Sequence, residues 1–194
     1  TGLQGDVMMK ARITTAALCL TSALALVACS KAANEAQPAN GGAPASAFRD
    51  QPLVNEIYTA DPSAHVFDGK IYIYPSHDIE SGGAFDDEGG HFGMEDYHVL
   101  RMDTPAGEAI DCGIALHVRD VPWASRQMWA PDAACRDGRY YLYFPAKDAD
   151  GMFRIGVAAA DRPEGPFTPE PEPIKGAYSI DPAVFEDDDG THYL

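Results

Sequence analysis

The feature that most constrains the fold of this chain is a 15-residue phrase that occurs three times. Each copy contains a Pro, an Asp-Gly pair a few residues later, and then a run rich in aromatic residues. The copies are ADPSAHVFDGKIYIY (60–74), APDAACRDGRYYLYF (130–144) and IDPAVFEDDDGTHYL (180–194). Their Pro residues lie 69 and 51 residues apart, which suits repeated units of several short antiparallel strands. The repeat therefore predicts the blades of a β-propeller.

The rest of the sequence from about residue 50 indicates an all-β fold. Its strand-like runs combine β-branched and aromatic residues and are separated by Gly, Pro and Asp. They are HVFDGKIYIYPS (65–76), DYHVLRM (96–102), RYYLYFPA (139–146) and FRIGVAAA (153–160). The Asp-Gly pairs at 68–69, 137–138 and 189–190 predict type I′ hairpin turns, because both central residues of that turn need positive φ. A β-sandwich explains such strands but not the internal repeat.

The charge of the chain excludes one class of partner. The 194 residues include 14 Lys and Arg against 30 Asp and Glu, for a net charge of −16. Such a surface repels phosphate backbones and anionic lipid, so nucleic acid is not an expected partner. Neutral ligands such as sugars are compatible with it.

The N-terminal residues have the pattern of an export signal. A short basic start at 8–12 precedes the 16-residue apolar run 13–28, which is shorter than the roughly 20 residues that span a bilayer. The run ends in LVACS, which resembles the lipobox of bacterial lipoproteins and implies that Cys29 is lipidated. An ordinary secretory signal is the alternative. We expect a signal at 1–28, a flexible tether at 29–48, and a domain at 49–194.

That division implies an exported protein held at a membrane only by its lipid anchor. Ser30 after the lipidated Cys fits an outer-membrane, periplasmic or cell-surface location. In such an oxidising compartment Cys112 and Cys135 either form a disulfide or remain two separate thiols. No Cys spacing resembles a metal site, and EDDDG (186–190) is interpreted as a solvated turn rather than a calcium site.

Two copies of the repeat are led by an Asp that no turn rule requires. In a propeller, the loops that enter the innermost strands converge on one mouth, so Asp61 and Asp181 are expected to face a common funnel. The alternative is that each Asp accepts backbone N–H bonds at a turn. Asp132 follows its Pro instead of preceding it, so a structural role is expected there.

Several motifs in order resemble glycoside hydrolase family 43. They are ADPSAHVF (60–67), YPSHD (74–78), MEDYHV (94–99), the run 117–167 and SIDPAVFEDDDGTHYL (179–194). The resemblance implies a five-bladed β-propeller, of which this chain covers roughly the first two and a half blades. It also implies an inverting glycosidase acting on β-xylosides, α-arabinofuranosides or arabinans.

The resemblance assigns roles to both leading Asp residues. It implies that Asp61 is the general base and that Asp181 orients the general acid and modulates its pKa. The acid itself is a Glu of the fourth blade, which is expected beyond residue 194, so we expect these 194 residues alone to be inactive. Glu164 lies too early in the chain and is not expected to be the acid.

The resemblance also indicates residues that contact substrate. Trp129 and Ala130 are expected beside the bound sugar, the alternative for Trp129 being a core position between blades. Trp123 is expected to pack in the core. Another four residues stand at strand ends, where they either bind sugar hydroxyls or have turn and core roles: His77, Asp78, Asp96 and Tyr97.

The function that this sequence predicts is inverting hydrolysis of xylose- or arabinose-containing plant polysaccharides or oligosaccharides. The expected partner is a neutral pentose-containing saccharide. No cofactor or metal site is predicted, although a structural cation in the channel of the complete propeller is left open. The alternative function is a non-catalytic glycan-binding lipoprotein on the same fold.

Overall fold

The computed structural model of this protein describes residues 51–194. The predicted signal (1–28), with Cys29, and the tether (29–48) lie outside the described residues. Within them the chain forms eleven strands and a single turn of 3-10 helix at Val118–Asp120, so the all-β prediction is confirmed. The strands are β1 (Tyr58–Phe67), β2 (Lys70–Asp78), β3 (Asp96–Met102), β4 (Ile110–His117), β5 (Ala124–Arg126), β6 (Asp132–Arg136), β7 (Arg139–Asp148), β8 (Phe153–Ala160), β9 (Thr168–Pro169), β10 (Phe185–Glu186) and β11 (His192–Tyr193).

The first sheet is a four-stranded antiparallel meander in the order β1-β2-β3-β4. Its first hairpin turns at Asp68 and Gly69, which have φ values of 50° and 76°. Both central residues thus have the left-handed backbone of a type I′ turn, as the Asp-Gly pair predicts.

The second sheet repeats this plan. Strands β6, β7, β8 and β9 pair antiparallel in that order, and β5 pairs with the far end of β7. Asp137 and Gly138 form the equivalent hairpin turn, with φ values of 54° and 74°.

The third copy of the phrase forms the two-stranded hairpin β10-β11, but its turn differs from the predicted type I′ turn. Of the Asp-Gly pair at 189–190, only Gly190 has positive φ, at 80°. The Gly190 N–H donates to the Asp187 carbonyl at 2.8 Å, and the Asp187 N–H donates to the Thr191 carbonyl at 2.8 Å. The third copy has one more residue between its Pro and its Gly, and that residue lengthens the loop beyond two residues.

The core lies between the two sheets and contains several aromatic side chains among aliphatic ones. Tyr74, Tyr97 and Phe144 are fully buried. The rings of Tyr97 and Phe144 lie 6.1 Å apart, and the Tyr74 hydroxyl donates to the Pro163 carbonyl at 2.9 Å. Burial raises the pKa of Tyr74, so this hydroxyl keeps its proton and its hydrogen bond. Trp123 stacks on Phe144 at 5.9 Å, in the packing role that was predicted.

Asp132 joins all three copies of the phrase. Its Oδ1 contacts His65 Nε2 at 2.7 Å and accepts the Ala133 N–H, while its Oδ2 accepts the Val184 N–H at 2.7 Å. Burial alone would raise the pKa of Asp132, but the hydrogen bonds from His65 and from two backbone N–H groups lower it below its ordinary value. The structural role expected of Asp132 is confirmed.

Two further findings bear on the sequence predictions. Cys112 and Cys135 are free thiols, so the structure contains the unbridged alternative. Between residues 51 and 194 no helix is both long and apolar enough to cross a membrane.

Candidate active site

A pocket of about 1230 Å³ opens where the three copies of the phrase begin. It is lined by the start of β1, the end of β2, the β2–β3 loop, the residues before β6, the β7–β8 connection and the segment leading to β10. The pocket is therefore assembled from all three copies.

Asp61 reaches this pocket from a bulge in β1. Ala60 pairs with Ser76 and Ser63 pairs with Tyr74, so β1 has one more residue than β2 between these two pairs. An extra residue bends a strand and changes the direction of its side chains. The φ of Asp61 is 47°, an uncommon left-handed conformation for a residue with a side chain.

Asp181 repeats this conformation in the third copy. Its φ is 57°, and it too is followed by a Pro, Pro182. Sparsely populated backbone conformations cost on the order of 1–3 kcal/mol and are concentrated at functional sites. Asp61 and Asp181 both line the pocket, so the same strained conformation supplies one carboxylate from each of two copies.

Neither carboxylate has the hydrogen bonds of a turn-capping Asp. Within residues 51–194, no backbone N–H and no cation is bound to Asp61 or Asp181. Asp86, by contrast, accepts the N–H groups of Glu88 and Gly90 at 3.0 and 2.8 Å. The acceptor sites of Asp61 and Asp181 are thus open to a ligand or to water.

Trp129 forms an aromatic wall of the pocket. Its indole N–H donates to the Phe92 carbonyl at 2.9 Å, and its ring lies 4.4 Å from that of Phe153 and 6.3 Å from that of Phe92. Ala130 lines the pocket next to it. The indole is thus fixed by a hydrogen bond from its N–H and by ring contacts with Phe92 and Phe153.

The β2–β3 connection, residues 79–95, is a part of the site that the sequence prediction missed. Its Gly89 packs directly on Trp129: a Cβ at Gly89 would lie 2.8 Å from the indole. Gln127, which is 3% exposed, donates to the Gly89 carbonyl at 2.7 Å. The signal that could have found this loop is its glycine content, since SGGAFDDEGGHFG allows close approach of backbone to a neighbouring ring.

The same loop adds further polar and aromatic groups to the pocket. His91 lines it and lies between Phe85 and Phe92, with ring centroids 4.1 and 3.9 Å away. The Nδ1 atom of His91 is buried without a hydrogen-bond partner in the described part of the chain. This nitrogen is therefore a polar atom of a pocket-lining residue that makes no hydrogen bond within the described residues.

The pocket is lined by several carboxylates and, among the described residues, by one Lys or Arg side chain, that of Lys147. Lys147 is 7% exposed, and its Nζ lies 5.0 Å from the ring centre of Phe153 and 5.9 Å from that of Trp129. The N–H of Gly90 lowers the pKa of Asp86 at the rim, which keeps that carboxylate ionised. A neutral ligand suits this mixture better than an anionic one.

The four strand-end residues predicted as possible sugar contacts separate into two groups. Asp78 lines the pocket, whereas His77, Asp96 and Tyr97 do not. His77 Nδ1 contacts Asp96 Oδ1 at 2.7 Å. The Tyr97 hydroxyl donates to the Trp129 carbonyl at 2.6 Å, so Tyr97 supports the wall from behind. These contacts favour the structural roles that the sequence left open for the three residues.

Glu164 lies in the connection between β8 and β9, outside the pocket lining. Its carboxylate accepts a 3.4 Å hydrogen bond from Tyr72 and lies 3.7 Å from Arg101. This position agrees with the expectation that Glu164 is not the general acid.

The fold and the pocket together define part of a β-propeller with an acidic, aromatic-walled pocket where its copies of the phrase converge. Open carboxylates beside an aromatic wall, at the mouth where blades converge, can bind a neutral sugar and activate water next to it. The chain belongs to the glycosyl hydrolases family 43, whose model matches residues 50–194. Structures of this family are five-bladed β-propellers, so the two sheets and the hairpin are part of such a propeller, and the predicted fold class is confirmed.

Similar proteins are named as xylosidases and arabinosidases. Xylosidase/arabinosidase 43A of Humicola insolens is 64% identical over 145 residues, which cover 74% of this chain and 44% of that protein. A xylosidase/arabinosidase of Bacteroides ovatus is 59% identical over 143 residues, covering 73% of this chain and 44% of that protein. The chain therefore spans less than half the length of these relatives.

A solved structure extends the comparison. The crystal structure of a β-xylosidase/α-arabinofuranosidase of this family, from a compost microbial metagenome, superposes with a TM-score of 0.72 at 68% sequence identity. The match covers 73% of this chain and 43% of that one. That enzyme was crystallised in complex with xylotriose, in a calcium-free form.

Proposed function

We propose that the whole protein is an inverting glycoside hydrolase that releases xylose or arabinose from plant polysaccharides or oligosaccharides. The observation that carries this proposal is that Asp61 and Asp181, in the same left-handed conformation, line one pocket beside Trp129. The names of relatives 59–64% identical to this chain support the choice of pentose sugars.

In the proposed reaction Asp61 is the general base. It takes a proton from a water molecule, whose oxygen attacks the anomeric carbon as the bond to the leaving oxygen breaks. A carboxylic acid on the opposite side of the sugar gives its proton to that oxygen. The two carboxyl groups need a separation of about 6.5–9.5 Å, so that the water fits between them and the sugar.

Asp181 acts on the acid, which we propose is a Glu outside these 194 residues. A negative charge near a carboxylic acid raises its pKa, so the acid remains protonated near neutral pH and can donate. The open acceptor sites of Asp181 allow it to orient that group. Trp129 and Ala130 position the sugar ring, and no organic cofactor takes part in this chemistry.

We also propose that the protein is exported and held at a membrane through lipid on Cys29. The LVACS sequence after a 16-residue apolar run supports this. Mass spectrometry of the mature N-terminus and fractionation of a Cys29→Ser variant provide the test. We expect lipid on Cys29 in the wild type and release of the variant from membranes; an unmodified mature N-terminus elsewhere contradicts the proposal.

The stereochemistry of hydrolysis tests the proposed function. Proton NMR of the whole protein acting on an aryl β-xyloside is expected to show α-xylose first, because water attacks from the face opposite the leaving group. Initial formation of β-xylose contradicts the mechanism. Saturable binding of xylotriose without any turnover of xylosides or arabinofuranosides supports the glycan-binding alternative instead.

A further inference from the structure

The strongest group of unassigned side chains lies on the first sheet, away from the lining of the pocket. His77 at the end of β2 and Asp96 and His98 on β3 each direct one donor atom to the same point, and these three atoms lie within 4.8 Å of one another. Their side chains are 20%, 12% and 12% exposed. The cluster is thus shielded but reachable from solvent.

Strand pairing explains why these donors meet. Asp96 and His98 are two residues apart on β3, so their side chains lie on one face of the sheet. Ser76 pairs with Tyr97 in the antiparallel ladder, which places His77 opposite Asp96 on that same face. The rigid backbone of two paired strands fixes all three positions.

A fourth residue sets the tautomer of one imidazole. Both carboxylate oxygens of Asp111 lie 2.9 Å from His98 Nδ1. A carboxylate accepts from an imidazole N–H, so the proton stays on Nδ1 and the lone pair of Nε2 faces Asp96 Oδ1, 3.8 Å away. A carboxylate that orients a histidine in this way is the usual outer-shell partner of a metal ligand.

We propose that His77 Nδ1, Asp96 Oδ1 and His98 Nε2 form a site for a divalent transition-metal ion, preferably Zn²⁺. Two imidazoles and one carboxylate, with a fourth position open to water, are a ligand set that Zn²⁺ accepts. Tetrahedral ligands at ordinary Zn–N and Zn–O lengths lie roughly 3.3 Å apart. The present separations of 2.7 and 3.8 Å from Asp96 bracket that value.

Charge also favours a cation at this position. Asp96 and Asp111 have only histidine ion-pair partners within residues 51–194. A dication bound between them would balance these two carboxylates.

The test is a titration of the chelator-treated full chain with Co²⁺, followed by visible absorption, with its thiols alkylated beforehand. We expect one Co²⁺ per chain with a d–d spectrum of nitrogen and oxygen ligation, and displacement by Zn²⁺, which binds such sites more tightly. Calcium at millimolar concentration should not displace Co²⁺, because it prefers oxygen ligands.

Variants separate a metal site from a hydrogen-bonded cluster. His98→Gln and Asp96→Asn should abolish the spectrum, and Asp111→Asn should raise the Co²⁺ dissociation constant about 10–100-fold. His192→Gln, in the β10–β11 hairpin, is the matched control and should bind as the wild type does. Since Asp111 is more exposed than the ligands, its variant is informative even if the other two fail to fold.

Three results overturn the proposal. They are the absence of saturable one-to-one binding, unchanged binding in the Asp111→Asn and His98→Gln variants, and displacement of Co²⁺ by Ca²⁺. If saturable one-to-one binding is absent, the cluster serves only to link β2, β3 and β4 by hydrogen bonds.

Discussion

Single residues in this protein have roles that depend on backbone conformation as much as on side-chain chemistry. Asp61 and Asp181 occupy the left-handed region with φ values of 47° and 57°. Asp137 has a similar φ of 54° but lies in a hairpin turn, where such a conformation is required by the turn. The same backbone state therefore forms hairpin turns at Asp68 and Asp137 and occurs at two Asp residues that line the pocket.

Gly89 is expected to control the position of Trp129. A Gly89→Ala methyl group would lie 2.8 Å from the indole, at a φ of +70°, so the ring must move out of the pocket wall. We expect the change to raise KM for xylo-oligosaccharides about tenfold, the loss of roughly 1.4 kcal/mol of binding, and to change Trp fluorescence.

Gly82→Ala is the matched control for this change. Gly82 is in the same loop with a φ of +67°, but a Cβ there meets nothing within 4 Å. Backbone strain is thus similar and the contact with Trp129 is absent. Equal effects of the two substitutions on KM would show that Gly89 acts through loop strain and not through the indole.

At the scale of secondary-structure elements, Asp132 links the start of β6 to β1 and to the segment before β10. Asp132→Asn places an amide N–H₂ against backbone donors, leaving at least one buried N–H without an acceptor. Such a loss costs about 1–3 kcal/mol, which urea unfolding at pH 7 would measure. Asp137→Asn, at an exposed turn, should change the free energy of unfolding by less than about 0.5 kcal/mol.

The effect of Asp132 on stability is expected to depend on pH. Its pKa is lowered in the folded protein, so the ionised form stabilises the fold. This contribution is fully present above the unfolded-state pKa of about 3.9 and disappears as the pH falls through the lowered value. The difference between wild type and Asp132→Asn should therefore shrink at pH 3; a difference equal at pH 7 and pH 3 contradicts this explanation.

The elements that could be predicted from sequence are those with local signals. The Asp-Gly pairs located two hairpin turns correctly, and the position of Asp132 after its Pro identified it as structural. The turn at 187–190 differed because one additional residue changes the loop type. The β2–β3 loop was missed because its contact with Trp129 joins residues 40 positions apart.

The cluster of His77, Asp96 and His98 could not be predicted for a related reason. Its donors converge only through the register of two strands, and that register depends on which residues pair across a loop. The sequence spacing of residues within either strand alone does not indicate that three metal-ligand atoms meet at one point. Sequence reasoning identified two of these residues, His77 and Asp96, but left them open between contacts with sugar hydroxyls and turn or core roles.

At the scale of the whole molecule, the site depends on the propeller repeat. The pocket is lined by residues from all three copies of the phrase, so neither complete sheet contains the site alone. The net charge of −16 disfavours anionic partners and is compatible with neutral ligands such as saccharides. The chain spans less than half the length of the two relatives described above, and the general acid of the proposed reaction is proposed to lie outside these 194 residues.

Kinetics and calorimetry of Asp61→Asn in the whole protein test the central claim most directly, with Asp137→Asn as the control. Removing a general base should lower kcat for an aryl xyloside by about 10²–10⁴-fold, while calorimetry should show xylotriose binding within about threefold of the wild type. Asp137→Asn should leave both quantities unchanged. Wild-type kcat in Asp61→Asn, or loss of binding with kcat retained, would contradict the assignment of this pocket as the site of hydrolysis.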